Sequence, residues 1–325
     1  MMISVIRLIL LSVALLLGLY MPSTATEQNG RPIVIAGGTP FGYYFGLAGA
    51  ICQAINVASP NTVRCVNVAG GSSALNLGKI NDGSFDFAVI QSDWLHHAVQ
   101  GSSRYRSAGP NEELRSIVSV PTEALMILAR RNIGAKVLTH LAGRRVGYDG
   151  RNRYAYLLMQ TAIGAAQIDF ASRPADEGRE KAAEAQICAG EIDVLFIVER
   201  HPRGHVESLM GRCDLNLISI APATIKKAIE NRPDLVAHQL SLTSPQDSKP
   251  AITTFGLSAT IVTQSSTSDD RVAMLLEAIL GGDLKKWRHI TVTTLPLRDQ
   301  ISVAVGLAPL HRRAKAHFGA KGWLP

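Results

Sequence analysis

Strands and helices alternate along the first third of this 325-residue chain, and this alternation restricts the fold more than any other feature. The segments "PIVIAG", "VRCVNVAG" and "FDFAVIQ" are short β-branched runs that are typical of buried strands. Between them lie "YYFGLAGAICQAIN" and "SSALNLGKINDG", which have the length and composition of helices. A βαβαβ order predicts a parallel sheet with right-handed crossover connections. The chain is therefore expected to adopt an α/β fold.

Each of these three strands ends in a polar turn, with the sequences "GGT", "GGSS" and "QSD". Ligands of such sheets bind beyond the carboxyl ends of the strands, where backbone amides and helix N-termini favour a carboxylate. Tyr43 and Tyr44 add hydroxyls and aromatic walls. The simpler interpretation is that the glycines only permit tight turns, that Ser72 or Ser73 caps a helix, and that Asp93 caps the next one. The candidate binding residues at this edge are Gly38, Thr39, Tyr43, Tyr44, Gly71, Ser72, Ser73, Gln91, Ser92 and Asp93.

A second α/β unit begins near residue 140. It contains the helical segments "RYAYLLMQTAIGAA" and "GREKAAEAQICAGE" and the strand segments "IDVLFIVERHP" and "DLNLISIAP". Two extended segments, "LRSIVSVPTEALMILARR" and "AITTFGLSATIVTQ", flank this unit on either side. This arrangement predicts one lobe interrupted by another, in keeping with a chain that is long for a single core.

The N-terminus has the layout of a secretory signal. One positive charge at Arg7 precedes an apolar run that is too short to cross a bilayer comfortably, and Ser23-Thr24-Ala25 fits a small-x-small cleavage site. An uncleaved anchor is the alternative. The net charge of +7 becomes +6 once Arg7 is removed, and a basic surface could favour anionic ligands. No Lys/Arg cluster alternates with aromatic residues, so nucleic acid is not an expected partner. The mature chain is expected to be soluble and periplasmic.

Four cysteines remain after the predicted signal, and an even number in an oxidising compartment suggests disulfides. Four cysteines allow three connectivities. Proximity along the chain favours Cys52 with Cys65 and Cys188 with Cys213.

Signals for an enzyme are weak. The sequence contains no G-x-S-x-G elbow, no H-E-x-x-H and neither common phosphate loop. His201 and His205 have the spacing of metal ligands on a helix, but Pro202 and Gly204 argue against a regular helix there. The prediction is a protein that is not an enzyme and has no catalytic residues, no metal and no cofactor.

The order of these segments resembles the TAXI family, whose members are solute-binding proteins of tripartite ATP-independent periplasmic (TRAP) transporters. The resemblance covers nearly the whole mature chain. It rests on four motifs in order, which are carried by Gly37, Gly38, Thr39, Gly42, Tyr43 and Tyr44; by the stretch 68–77; by Asp86, Ala88, Gln91, Ser92 and Asp93; and by Pro309, Leu310, His311, Ala314, Phe318 and Gly322.

The resemblance implies a type II periplasmic-binding fold with two α/β lobes, a hinge and an inter-lobe cleft. The signal peptide would occupy 1–25, the first lobe 27–120 and 253–325, and the second lobe 121–252. A small solute would bind between the lobes and be delivered to membrane-embedded TRAP permease subunits. A ligand-sensing module for a signalling partner would have the same sequence features and is the alternative function.

The second lobe departs from the family pattern at two turns. A "G-S-G-T" turn is replaced by Gly150-Arg151-Asn152-Arg153, and a "G-G-x-P" turn by 199–202, "ERHP". Asn152, Arg153 and Glu199 are the candidate binding residues of this lobe. Because arginine matches carboxylate geometry, Arg151, Arg153 and Arg200 at these turns predict a small anionic solute, such as an amino acid or a dicarboxylate. The alternative is that these arginines point into solvent at the edge of the lobe.

Overall fold

The computed structural model describes residues 30–60, 63–150, 152–171, 182–200, 204–240, 251–281 and 296–324. The predicted signal peptide lies outside these residues. None of the helices in these ranges is both long enough and apolar enough to span a membrane.

Nine strands in the described ranges form one mixed sheet in the order β2-β1-β3-β9-β4-β6-β5, with β7 paired to β4 and β8 paired to β9. The strands are β1 (Ile33–Gly37), β2 (Cys65–Ala69), β3 (Phe87–Gln91), β4 (Leu114–Arg130), β5 (Val146–Tyr148), β6 (Val194–Arg200), β7 (Leu215–Ile218), β8 (Leu235–Leu240) and β9 (Ile252–Gln264). β1 pairs in parallel with β2 and with β3, so the carboxyl ends of these three strands meet at one edge.

Helices cover the sheet because their apolar faces are buried against it. They are α1 (Tyr43–Ala58), α2 (Ser73–Asn81), α3 (Ser92–Gln100), α4 (Arg153–Ala166), α5 (Ala182–Ala189), α6 (Gly204–Cys213), α7 (Pro222–Ile229), α8 (Asp269–Leu280), α9 (Leu297–Leu307) and α10 (Arg312–Ala320). In α1, for example, Leu47, Ile51 and Ile55 recur every four residues and are buried.

Two long antiparallel strands connect the two halves of the sheet. The first part of β4 pairs with the last part of β9, beside β3, whereas the second part of β4 pairs with β6 and β7. The β4–β9 register shifts between Pro121 and Glu123. Proline cannot donate a ladder hydrogen bond, so a position at a bulge is where an interior strand tolerates it.

Buried apolar residues fall into separate clusters on either side of this bulge. Two clusters use buried residues within 33–120 and 259–318 only. Two others use buried residues within 124–257 only. We call these two parts the first lobe and the second lobe.

The predicted α/β fold is confirmed, and the predicted strands and helices up to residue 166 are present. Four helices and one strand of the described residues were not anticipated, namely α6, α7, α9, α10 and β8. The expectation of an irregular backbone around residues 201–205 is only partly right. Helix α6 begins at Gly204 and includes His205, while 201–203 lie outside the described residues.

Both predicted disulfides are present. Cys52–Cys65 joins α1 to β2, and Cys188–Cys213 joins α5 to α6. Each therefore ties two neighbouring elements within one lobe.

Removing the disulfide of the second lobe should destabilise the protein measurably. The chain-entropy model assigns about 3 kcal/mol to a crosslink whose cysteines are 25 residues apart. We expect the C188S/C213S variant to lose about that much free energy of unfolding in urea denaturation. An unchanged denaturation midpoint for this double variant, under non-reducing conditions, would contradict the prediction.

Candidate functional site

The three polar turns of the first lobe are in contact with one another. The Gly71 N–H donates to the Gly38 carbonyl oxygen at 3.3 Å. The Ser73 hydroxyl oxygen accepts from the Gln91 N–H at 3.1 Å. Residues from the ends of all three strands therefore form a continuous edge, as the parallel pairing requires.

Asn76 stabilises this edge and was not anticipated from the sequence. Its buried side-chain amide donates to the Gly37 carbonyl oxygen at 2.7 Å, so α2 is fastened to the end of β1. A Cβ at Gly70 would lie 1.6 Å from the Asn76 Oδ1 atom, which explains why glycine occupies that position. The useful sequence signal was the glycine pair followed by an amide side chain one turn into the helix.

The hydroxyls predicted for this edge have different surroundings. Thr39 and Ser72 are exposed, and the Ser72 hydroxyl accepts from the Leu75 N–H at 3.3 Å as the cap of α2. Ser92 is fully buried. Its hydroxyl donates to the Asp234 carbonyl at 2.6 Å and accepts from the Ser258 N–H at 3.1 Å. Ser92 is therefore a structural link between the start of α3, the segment before β8, and β9.

Asp93 makes a direct contact between the lobes. It lies in the first turn of α3, is only 5% exposed, and accepts a 2.6 Å hydrogen bond from the Tyr154 hydroxyl in the first turn of α4. Burial raises the pKa of Asp93, and the hydrogen bond from Tyr154 opposes that shift. Burial and the nearby Asp93 carboxylate also raise the pKa of Tyr154.

A second contact between the lobes involves the paired tyrosines. The Arg200 guanidinium, at the end of β6, lies over the Tyr43 ring with its Cζ 4.6 Å from the ring centroid. Burial raises the pKa of Tyr43 to about 12, and the positive charge of Arg200 acts against that shift. Tyr44 packs edge-on to Tyr43, with 6.2 Å between the ring centroids.

Glu123 belongs to the same group and was not predicted. It follows the β4 bulge, and its carboxylate accepts a short hydrogen bond from the Gln91 side-chain amide. The Tyr44 hydroxyl is buried close to the Thr122 hydroxyl, yet it finds no partner with hydrogen-bond geometry among the described residues. Burial, and then the charge of Glu123, raise the pKa of Tyr44 well above its ordinary value.

The binding residues predicted for the second lobe lie around the start of α4 and at the end of β6. The Asn152 side chain caps α4 through the Tyr154 N–H at 3.0 Å and donates to the Val198 carbonyl at 2.8 Å. Arg153 is exposed and lies 5.0 Å from the Tyr154 ring centroid. Arg151 lies outside the described residues.

Glu199 faces a histidine. Its carboxylate contacts His205 Nδ1 at 3.2 Å, and His205 Nε2 contacts Glu184 at 3.2 Å, so one imidazole bridges β6 and α5 from α6. The other Glu199 oxygen, Oε2, is buried and has no hydrogen-bond partner among the described residues. No group of three or more His, Cys, Asp and Glu side chains within the described ranges has the arrangement needed to hold a metal ion.

Taken together, these side chains bring the two lobes into contact next to the bulge between Pro121 and Glu123. We call this region the cleft and define it by Tyr43, Asp93, Glu123, Tyr154 and Arg200. A separate cavity of about 370 Å³ lies at the opposite end of the first lobe, where Asp86 is paired with Arg271 at 2.9 Å. That cavity is distinct from the predicted edge of the sheet.

Solved structures share this architecture. A TctC solute-binding protein from Polaromonas aligns with a TM-score of 0.55 and 15% identity over 91% of this chain and 99% of that chain. The periplasmic sulfonate-binding protein SsuA from Methylobacillus flagellatus KT aligns with a TM-score of 0.47 and 11% identity, over 91% and 88% of the two chains. At 15% identity the likeness to the TctC protein concerns the fold alone, and it confirms the predicted periplasmic-binding α/β fold.

The sequence model of the NMT1-like family matches residues 35–322, which include every described residue of the cleft. This chain belongs to the NMT1-like family.

Proposed function

We propose that this protein is an extracytoplasmic solute-binding protein that captures a small carboxylate-bearing solute in the cleft and delivers it to a membrane permease. The observation that carries the proposal is that both lobes contribute to one cluster of polar side chains. Asp93 of the first lobe reaches Tyr154 of the second at 2.6 Å, and Arg200 of the second reaches Tyr43 of the first.

The connection between the lobes is suited to opening and closing. Among the strands of the described ranges, only β4 and β9 extend into both lobes, and their pairing is interrupted beside the cleft by the bulge at 121–123. Hinges are commonly a few residues that absorb a change in backbone angles. The buried clusters change from one lobe to the other between 120 and 124 and between 257 and 259, so they support the proposed boundary near 120 and favour a second boundary a few residues after the proposed 252.

A carboxylate on the solute is supported by groups on both sides of the cleft. Arg200 is held over Tyr43, and a guanidinium forms two parallel hydrogen bonds with a carboxylate. On the opposite side, α1 begins at Tyr43 and has no side-chain cap at Gly42, so its first N–H groups point toward the turn that follows β1. Arg153 adds an exposed positive charge at the rim.

The permease and the compartment are assigned from the sequence. The four motifs that resemble the TAXI family favour a TRAP-type permease. The signal-like N-terminus and two disulfides support a periplasmic location. Neither cofactor nor nucleic acid enters the proposal, and the protein acts as a carrier and not as an enzyme.

Titration calorimetry on refolded, ligand-free protein tests the carboxylate. We expect at least one small carboxylate to bind with a micromolar Kd, which requires about 8 kcal/mol. The R200Q variant should bind that solute about tenfold or more weakly, whereas R212Q, which removes an exposed arginine from α6, should not. If a sugar or a simple cation gives a heat of binding and no carboxylate does, this part of the proposal is overturned.

The alternative function is a sensory module that reports the solute to a signalling partner. Deleting the gene and measuring uptake of the radiolabelled solute separates the two. Lost uptake supports transport, while normal uptake together with a lost transcriptional response to the solute supports sensing.

A further inference from the structure

The cleft contains a buried carboxylate, that of Asp93, of which only one oxygen has a hydrogen-bond partner among the described residues. The Tyr154 hydroxyl donates to the Oδ2 atom of Asp93, whereas the Oδ1 atom is buried and has no hydrogen-bond partner among the described residues. A buried charged oxygen without a partner is costly, so such groups in native proteins call for an explanation. A ligand that supplies the missing donor is one explanation.

The groups near Asp93 within the described residues do not supply that donor. The Trp94 N–H helps to lower the Asp93 pKa but does not have hydrogen-bond geometry to Oδ1. The Arg104 guanidinium stacks on the Trp94 ring, with its Cζ 3.5 Å from the ring centroid. Arg232 forms a two-point pair with Asp234, at 2.9 and 2.7 Å. Arg153 lies over the Tyr154 ring and is exposed. Each of these cations is therefore placed against another group, although Arg104 and Arg153 still attract the Asp93 carboxylate from a distance.

A second carboxylate strengthens the negative character of this part of the cleft. Glu123 is hydrogen-bonded to Gln91, and its charge acts on both Tyr44 and Tyr154. Two tyrosine rings thus lie beside two carboxylates. Aromatic faces and carboxylates together are the groups that recognise a desolvated cation. A purely anionic solute would instead place like charges side by side, which is unfavourable.

We infer that the cleft recognises a protonated amine, with Asp93 Oδ1 as the acceptor and Glu123, Tyr44 and Tyr154 completing its surroundings. This rests on the proposed function and narrows it, because an amino acid carries both an ammonium and a carboxylate and a dicarboxylate carries no ammonium. The carboxylate of the same solute would then lie toward Arg200 and the start of α1. The solute class is accordingly a small amino acid or amino-acid-like zwitterion.

Calorimetry with three groups of probes tests this inference separately from the proposed function. The first group is the common amino acids. The second contains their counterparts without the amine, such as glutarate for glutamate and propionate for alanine. The third contains amines without a carboxylate, such as ethanolamine and putrescine. We expect a member of the first group to bind, and removal of its amine to weaken binding on the order of 100-fold.

Three variants test whether Asp93 binds the amine of the solute. D93N keeps an acceptor for Tyr154 but removes the charge, and should lower affinity for the amino acid on the order of 100-fold with little effect on its deaminated counterpart. E112Q removes the same charge from an exposed position of the first lobe and should change neither affinity. Y154F removes the hydrogen bond from Tyr154 to Asp93 but retains Asp93, so the preference for the aminated probe should persist. Circular dichroism and thermal unfolding confirm that each variant is folded.

The outcomes are distinguishable. Equal or tighter binding of deaminated probes, or a preference that survives in D93N, overturns the amine site and leaves a carboxylate carrier. Binding of the amines alone retains the amine site and overturns the carboxylate proposal. Absence of binding in all three groups overturns both.

Discussion

Alanine at Gly37 is expected to destabilise the first lobe by about 3 kcal/mol and to abolish solute binding. Gly37 is the last residue of β1, immediately before the turn into α1. A Cβ at this position would lie 2.3 Å from the Phe45 Cα and 2.5 Å from the Tyr44 carbonyl oxygen. Because these are backbone atoms of α1, only a displacement of the helix start could relieve the overlap. That displacement would move Tyr43 and Tyr44 away from the cleft.

Urea denaturation measures the loss of stability, and calorimetry with the solute found for the wild type measures the loss of binding. Gly46 provides the matched control, since it lies in the same helix and a Cβ there would meet no atom within 4 Å. Alanine at Gly46 should stabilise the helix by about 0.5–1 kcal/mol, because glycine is the poorer helix former. If G37A were as stable as G46A, the close approach of β1 to α1 would not be what requires glycine.

Several local features of both lobes could be predicted because they depend on neighbours in the chain. The β-branched run at 33–36 indicates a buried strand, the glycines after it indicate a turn, and α1 then begins at Tyr43 as expected. Helix α4 was predicted with its observed bounds, Arg153–Ala166, since its apolar residues repeat with helical spacing. The two disulfides also followed from proximity along the chain.

The strand β8 and the cleft contacts could not be predicted in this way. The "LVAHQL" sequence of β8 is short and mixed, and it becomes a strand because it pairs with β9, which begins twelve residues later in the chain. Ser92 was predicted at the polar edge, but its hydroxyl bonds to partners 142 and 166 residues away, and no local pattern indicates those partners. Tyr154 and Glu123 were missed because they meet the first lobe only after the chain has folded across the hinge.

A second glycine substitution should strongly lower stability where β4 and β9 pass from one lobe to the other. Gly256 in β9 pairs with Ala124 of β4, immediately after the bulge. A Cβ at Gly256 would lie 2.0 Å from the Glu123 carbonyl oxygen and 2.7 Å from the Ala124 Cα. These atoms belong to the facing strand, so the overlap can be relieved only by separating β4 from β9. We expect G256A to lower the free energy of unfolding by about 3 kcal/mol.

Gly147 in β5 is the matched control for this substitution. A Cβ there would meet the Ile192 Cδ1 atom at 2.7 Å, but that atom is the end of a flexible side chain and can move away. We therefore expect G147A to cost no more than about 1 kcal/mol. Because Gly256 adjoins Glu123, the remaining folded G256A protein should also close poorly around the solute, which small-angle X-ray scattering with and without solute would measure. Equal stability of the two variants, with the same solute-dependent compaction, would show that the β4–β9 crossing accommodates a side chain and does not limit lobe closure.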